Sequence, residues 1–91
     1  MSAGAGAAAT PRITVLIADD EQPARRGLRE LLEAHDDIEV VGEARSGSEA
    51  VAAIEGRRPD LVFLDVQMPD GDGFEVVRQV GAARMPVVVF A

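Results

Sequence analysis

The chain has no cysteine. That excludes disulfides, thiolate nucleophiles and zinc–cysteine sites, and it fits a cytoplasmic setting. Basic residues are also scarce: 9 Lys and Arg stand against 16 Asp and Glu, a net charge of −7. Binding a phosphate backbone needs a basic face, so no nucleic acid contact is expected from this segment. An acidic balance suits a metal ion or a basic patch on a partner. Long hydrophobic runs are missing as well. The longest apolar stretches are of strand length, so no helical membrane span is expected. Residues 2–9 are small but lack the basic start and apolar centre of a signal peptide. Residues 1–11 are therefore expected to be a disordered Ala/Gly-rich tail.

What the chain does have is 91 residues, 47% of them apolar, enough for one domain with a core. Its most informative stretch is residues 61–73, Leu-Val-Phe-Leu-Asp-Val-Gln-Met-Pro-Asp-Gly-Asp-Gly. A fully apolar run of this length reads as a strand covered on both faces, as in parallel α/β sheets. Asp65 stands where that strand ends, and chemistry in open α/β sheets gathers at the carboxyl ends of strands.

Residues 12–18 (Arg-Ile-Thr-Val-Leu-Ile-Ala) form a second central strand by the same reasoning, again followed by acids, Asp19, Asp20 and Glu21. Pro23 fits the first turn of a helix. The stripe Ala24, Leu28, Leu31, Leu32 and His35 should face inward, with Arg25, Arg26, Arg29, Glu30 and Glu33 outward, and the helix should end near residues 35–37. Residues 38–44, interrupted by Glu39 and Glu43, suggest an edge strand. Ser46 and Glu49 have capping-box spacing and open a helix with Ala50, Val51 and Ile54 inward, stopping near Gly56 before Pro59. Asp72 and Glu75 repeat the pattern for a third helix, with Phe74, Val77 and Val80 or Val76 inward and Gly81 at its end. Residues 85–91 are another buried-strand run.

Strand–helix repeats of this kind imply a parallel sheet. With the second strand at an edge, the order is 2-1-3-4. The winding then reverses between strands one and three, which bring Asp19, Asp20 and Asp65 to one crevice. Two like charges about 5 Å apart repel by about 3 kcal/mol at an effective dielectric of about 20. Three ionised carboxylates together therefore call for a cation, and oxygen-only ligands favour Mg2+, Mn2+ or Ca2+. The bland reading is that these acids merely cap helices; their joint placement favours a metal site. Asp70 and Asp72 are assigned to turn and cap roles, and Pro69 spoils an EF-hand reading of residues 65–73.

These motifs resemble the receiver domain of bacterial two-component response regulators. The matching residues are Asp19-Asp20-Glu21 after a β-run, and Asp65 with Met68-Pro69 and Gly73 after another. The run of residues 18–25 looks most like the LytR/AlgR-type subgroup. The resemblance covers residues 12–91 and implies a flavodoxin-like doubly wound fold. It implies that Asp65 accepts a phosphoryl group from a sensor histidine kinase, with Mg2+ as cofactor. Asp20 and Asp65 would bind the metal directly, Gln67 through its backbone carbonyl and Asp19 through water. Met68, Pro69 and Gly73 would shape the loop. His35 is read as a helix-end residue, and the chain as a phosphoacceptor rather than an enzyme.

The family pattern runs on past Ala91, to a Thr or Ser, a Lys, a fifth strand and two further helices. Residues 12–91 are thus expected to be an incomplete receiver domain, with the output domain, a DNA-binding one in many relatives, lying beyond. The last strand would be open on one side, inviting a homodimer or swapped oligomer. On its own the chain would be a poor phosphoacceptor. Two competing readings are a non-phosphorylated interaction module on the same fold and an aspartyl phosphohydrolase. The second is disfavoured because Gln67 stands where such enzymes carry a second acid.

Overall fold

Three of the four strands run directly into a charged residue, Asp19, Arg45 and Asp65, and the computed structural model shows how this arranges the chain. It describes residues 12–68 and 72–90. The expected tail, residues 1–11, lies outside these, as do Pro69, Asp70, Gly71 and Ala91. The elements in order are β1 (Ile13–Ala18), α1 (Gln22–Glu33), β2 (Ile38–Ala44), α2 (Gly47–Arg57), β3 (Leu61–Leu64), α3 (Gly73–Val80), a short 3-10 turn (Ala82–Arg84) and β4 (Val87–Phe90). All strand pairs are parallel, and the sheet order is β2-β1-β3-β4, as the sequence predicts. Among the described residues the sheet has these four strands and three α-helices, the doubly wound flavodoxin-like arrangement.

Strand residues alternate between faces. Leu16, Ala18, Val62 and Leu64 share one buried cluster with Ala50 and Ile54 of α2 and Val76 and Val80 of α3. Val15 and Ile17 alternate with them and are also buried, on the face where α1 contacts β1 and β2. In register with Val15 and Ile17, and so on the α1 face, stand Leu61 and Phe63 of β3, then Val87 and Val89 of β4. A single helix does not reach that far: Val87 is 65% exposed and Val89 39%. On the opposite face Phe90 leans on Phe74, ring centroids 4.9 Å apart. The outer side of β4 has no strand partner among the described residues. At the other edge, β2 carries a register shift between Val15 and Leu16 of its neighbour, an irregularity typical of sheet edges.

The lower ends of β1 and β3 are tied together. The Asp60 N–H donates to Thr14 O and Oγ1, each at 2.9 Å. The Thr14 N–H and hydroxyl donate back to Asp60 Oδ2, at 2.9 and 3.0 Å. These bonds hold the Asp60 carboxyl below its ordinary value, the Thr14 N–H being the main cause. The Val87 N–H adds a bond to Asp60 O at 3.1 Å, extending the tie to β4.

The helices depart from the sequence reading in four places. In α1, Arg25 is buried although it was expected to face outward, whereas Leu31 is 69% exposed and Ala24 and His35 are exposed too. The helix face that turns inward carries Arg25 to Glu43 of β2 and to the main chain at Asp19, described below. The helix also ends earlier, at Glu33 with Ala34 as its cap. In α2, Gly56 is helical, and the stop is Arg58 in the left-handed region, φ 49°. In α3, Phe74 is 61% exposed, while Val76 and Val80 fill the core. Both capping patterns hold: Ser46 Oγ accepts from Glu49 N–H at 3.2 Å, and Asp72 Oδ1 from Glu75 N–H at 2.9 Å. Gly81 caps α3 at φ 95°.

Candidate functional site

The register Ala18↔Leu64 puts the residues that follow these two strands side by side. The ladder continues one step beyond the strands. The Asp65 N–H donates to Ala18 O at 2.9 Å, and the Asp19 N–H to Ala44 O at 3.0 Å. Asp19 therefore sits between the ends of β2 and β3, and Asp20 follows it. Asp19, Asp20 and Asp65 each offer a carboxylate oxygen within 4.8 Å of the others. Asp19 and Asp65 are half-buried and Asp20 is exposed. The predicted convergence of two acidic strand ends is what the structure has.

Two short backbone turns fix the carboxylates. Asp19 Oδ1 accepts from the Glu21 N–H at 2.9 Å, and Asp65 Oδ1 from the Gln67 N–H at 3.0 Å. Each acid keeps oxygen lone pairs for other ligands. The three acids line a shallow depression of about 360 Å³ with Glu21, Gln67 and Met68. A larger cavity of about 580 Å³ lies at the opposite rim, around Pro59, Arg84 and Met85, away from the acid cluster.

Oxygen ligands from three carboxylates, open on one side to solvent, fit a hard divalent cation that keeps part of its water shell. Zinc sites of the Cys/His type have no counterpart here.

The remaining expected site residues are placed as follows. Met68 is buried in the main core cluster, so it anchors the loop after β3. Pro69 lies outside the described residues. Gly73 is buried, and its N–H donates to Val66 O at 3.1 Å. A Cβ at Gly73 would stand 2.8 Å from Asp65 O, 3.2 Å from Leu64 Cγ and 3.3 Å from Phe90 Cε1. Close approach, rather than an unusual φ, is what requires glycine there.

The sequence reading missed Arg25. Its Nη1 donates to Asp19 O at 2.8 Å and its Nε to Glu43 Oε1 at 2.9 Å. Glu43 Oε2 in turn accepts from Arg29 Nε at 2.6 Å, and Arg29 Nη1 donates to Glu33 Oε2 at 2.8 Å. The available signal was a cation one helical turn past the acid run together with Glu43 interrupting an apolar strand. The Arg29 hydrogen bond, with Arg25 adding to it, holds the Glu43 carboxyl below its ordinary value of 4.5. A carboxyl whose folded value is depressed stabilises the fold above its unfolded value, and loses that contribution as pH falls through the folded value. Glu43→Gln should therefore cost stability at neutral pH, and the difference from the native chain should shrink at a pH well below the ordinary value of 4.5. Urea unfolding at the two pH values checks this; an equal difference at both would contradict it.

The sequence from residue 15 to 91 matches the family model described as the response regulator receiver domain. The chain belongs to that family. This receiver domain is 49% identical over 78 residues to the transcriptional regulatory protein BtsR of Salmonella typhi, covering 86% of this chain and 33% of that protein. Among solved structures, it is similar to the response regulator domain of Thermotoga maritima CheB, with TM-score 0.80 and 31% identity over 87% of this chain and 59% of that one. It is also similar to the receiver domain of the response regulator NarL from Mycobacterium tuberculosis, with TM-score 0.81 and 32% identity over 88% and 65% of the two chains. The receiver domain spans about a third of the length of the curated relatives it matches. Among its described residues no helix is long and apolar enough to cross a membrane.

Proposed function

We propose that this receiver domain takes a phosphoryl group onto Asp65 from a sensor histidine kinase in the cytoplasm. The observation that carries the reading is the meeting of Asp19, Asp20 and Asp65 at the tips of neighbouring strands, oxygens within 4.8 Å. An ionised carboxylate is already a nucleophile and needs no base. An Asp65 oxygen forms the new bond to phosphorus as the phosphorus–nitrogen bond of the kinase phosphohistidine breaks. The imidazole nitrogen takes the electron pair and then a proton.

Asp20 and Asp65 would hold Mg2+ directly, with the Gln67 carbonyl and, through water, Asp19. When bound, the ion supplies positive charge against the phosphoryl oxygens and the three carboxylates. Met68, Pro69 and Gly73 shape the loop that carries Gln67. In the longer protein an output domain would follow, a DNA-binding one by analogy with transcriptional regulators among the relatives. In the chain by itself, the β4 edge, without a strand partner among the described residues, would serve a homodimer or a swapped oligomer. The domain acts as a phosphoacceptor and not as an enzyme with its own small-molecule substrate. The finer LytR/AlgR-type reading is supported by the run of residues 18–25. Similar solved structures include a LuxR-family regulator and NarL, so the type of output domain joined to this receiver domain would decide the subgroup.

The test is intact-mass measurement of the full-length protein after exposure to acetyl phosphate with and without MgCl2. The expected result is one labile phosphoryl addition that needs the metal. No addition would favour the non-phosphorylated interaction module, and continuous release of phosphate from many substrates would favour the hydrolase.

A further inference from the structure

We infer that Arg25 is the positioning residue of the acid site: its guanidinium grips the main chain at Asp19 and fixes where the Asp19 and Asp20 carboxylates stand relative to Asp65. This rests on the reading of the acid cluster as a cation site and adds a residue that touches neither metal nor phosphoryl group.

Arg25 is 8% exposed, the one buried charged side chain among the described residues. A guanidinium is taken out of water at a cost unless its donors are satisfied. Here one edge is spent on Glu43 of β2 and the other on the carbonyl of Asp19. The main chain is thereby held on both sides of the Asp19 Cα, its N–H by Ala44 O and its C=O by Arg25. The helix that carries Arg25 starts directly after the acid loop, and its own N–H bonds back to Glu21 O at 3.1 Å. Loop, helix and edge strand thus close a ring through one side chain. Glu43 keeps its charge oriented through Arg29, so the Arg25 end of the ring has a fixed anchor. The rigid planar fork of arginine suits two acceptors at set angles; a lysine ammonium has no such geometry.

The force resisted is plain. Three carboxylates repel one another, and the loop bearing two of them would relax outward if its main chain were free. Arg25 keeps them converged, so the folded chain presents a ready cation site instead of assembling one on binding. Supports of metal ligands typically alter metal affinity by about 10- to 100-fold when removed.

Arg25→Met keeps the length of the buried stem and removes both grips; Arg25→Lys keeps a charge and decides the matter should the methionine variant not fold. Mg2+ binding is measured by calorimetry on the full-length protein, well below each variant's unfolding temperature. The native protein should bind, the methionine variant about tenfold more weakly and the lysine variant in between. A residue that only stabilised the fold would lower the unfolding temperature and leave the Mg2+ affinity of the folded protein unchanged. Unchanged affinity in the folded variants overturns the positioning role. Failure of the native protein to bind Mg2+ overturns the cation-site reading itself.

Discussion

Asp65→Asn should end phosphoryl uptake while leaving the fold intact. The amide is uncharged and a far weaker nucleophile, so labelling by acetyl phosphate should fall by at least about three orders of magnitude. The fold should survive because asparagine offers the same oxygen to the Gln67 N–H, and the Asp65 N–H bond to Ala18 O is main chain. Removing one of three negative charges that lie within 4.8 Å also relieves repulsion in metal-free buffer. The variant should therefore unfold at an equal or higher temperature than the native chain without Mg2+, and gain less from adding it. Thermal unfolding with and without MgCl2, beside intact-mass labelling, checks both halves. Undiminished labelling of the variant would show that another side chain is the acceptor.

Gly73→Ala sets two effects of opposite sign against each other. Helix propensity favours alanine over glycine by up to about 1 kcal/mol, and less at a helix start. Against that, the new methyl would sit 2.8 Å from Asp65 O. That oxygen is main chain directly after β3, and the residue's N–H is bonded to β1, so it cannot swing aside as a flexible side chain would. Leu64 and Phe90 close the other directions at 3.2 and 3.3 Å. Overpacking of this kind costs about 1–3 kcal/mol, so the clash should win. For a domain of this size that lowers the unfolding temperature by roughly 4–8 °C per kcal/mol. Because the strain falls on Asp65, the proposed acceptor, phosphoryl labelling there should slow as well. An alanine variant as stable as the native chain would mean that α3 can shift away without loss.

The parts of the fold that were legible in the sequence are those set by local pattern. Apolar runs at residues 13–18 and 61–64 and the Glu-interrupted run at 38–44 distinguish central strands from an edge, whereas the run at 87–90, read as a buried strand, forms the other edge of the described sheet with none of its residues buried. With the order of elements, they suffice for the 2-1-3-4 sheet and so for the convergence of Asp19, Asp20 and Asp65. The capping residues Ser46 and Asp72 were equally readable, because a cap is satisfied within four residues of itself. What escaped the sequence depends on partners distant in the chain. Arg25 looks like a solvent residue until Glu43, 18 positions on, supplies its counter-charge. Phe74 looks like a core residue, yet it meets Phe90 of β4, the strand with no outer partner among the described residues. Arg58 takes the left-handed cap where Gly56 was the obvious candidate, because α2 runs on to Arg57. The roles of Asp65 and the loop were suggested by family likeness rather than by periodicity.

The Thr14–Asp60 clasp bears on the acids from the far end of the same two strands. Crowded like charges could ease their load by letting β1 slide along β3, but a slip of one residue would tear out all four bonds that join Thr14 and Asp60. The sheet is bolted at its floor, so the tension at its rim has no mechanical outlet. In the native chain, relief of that repulsion falls to a cation brought into the cluster.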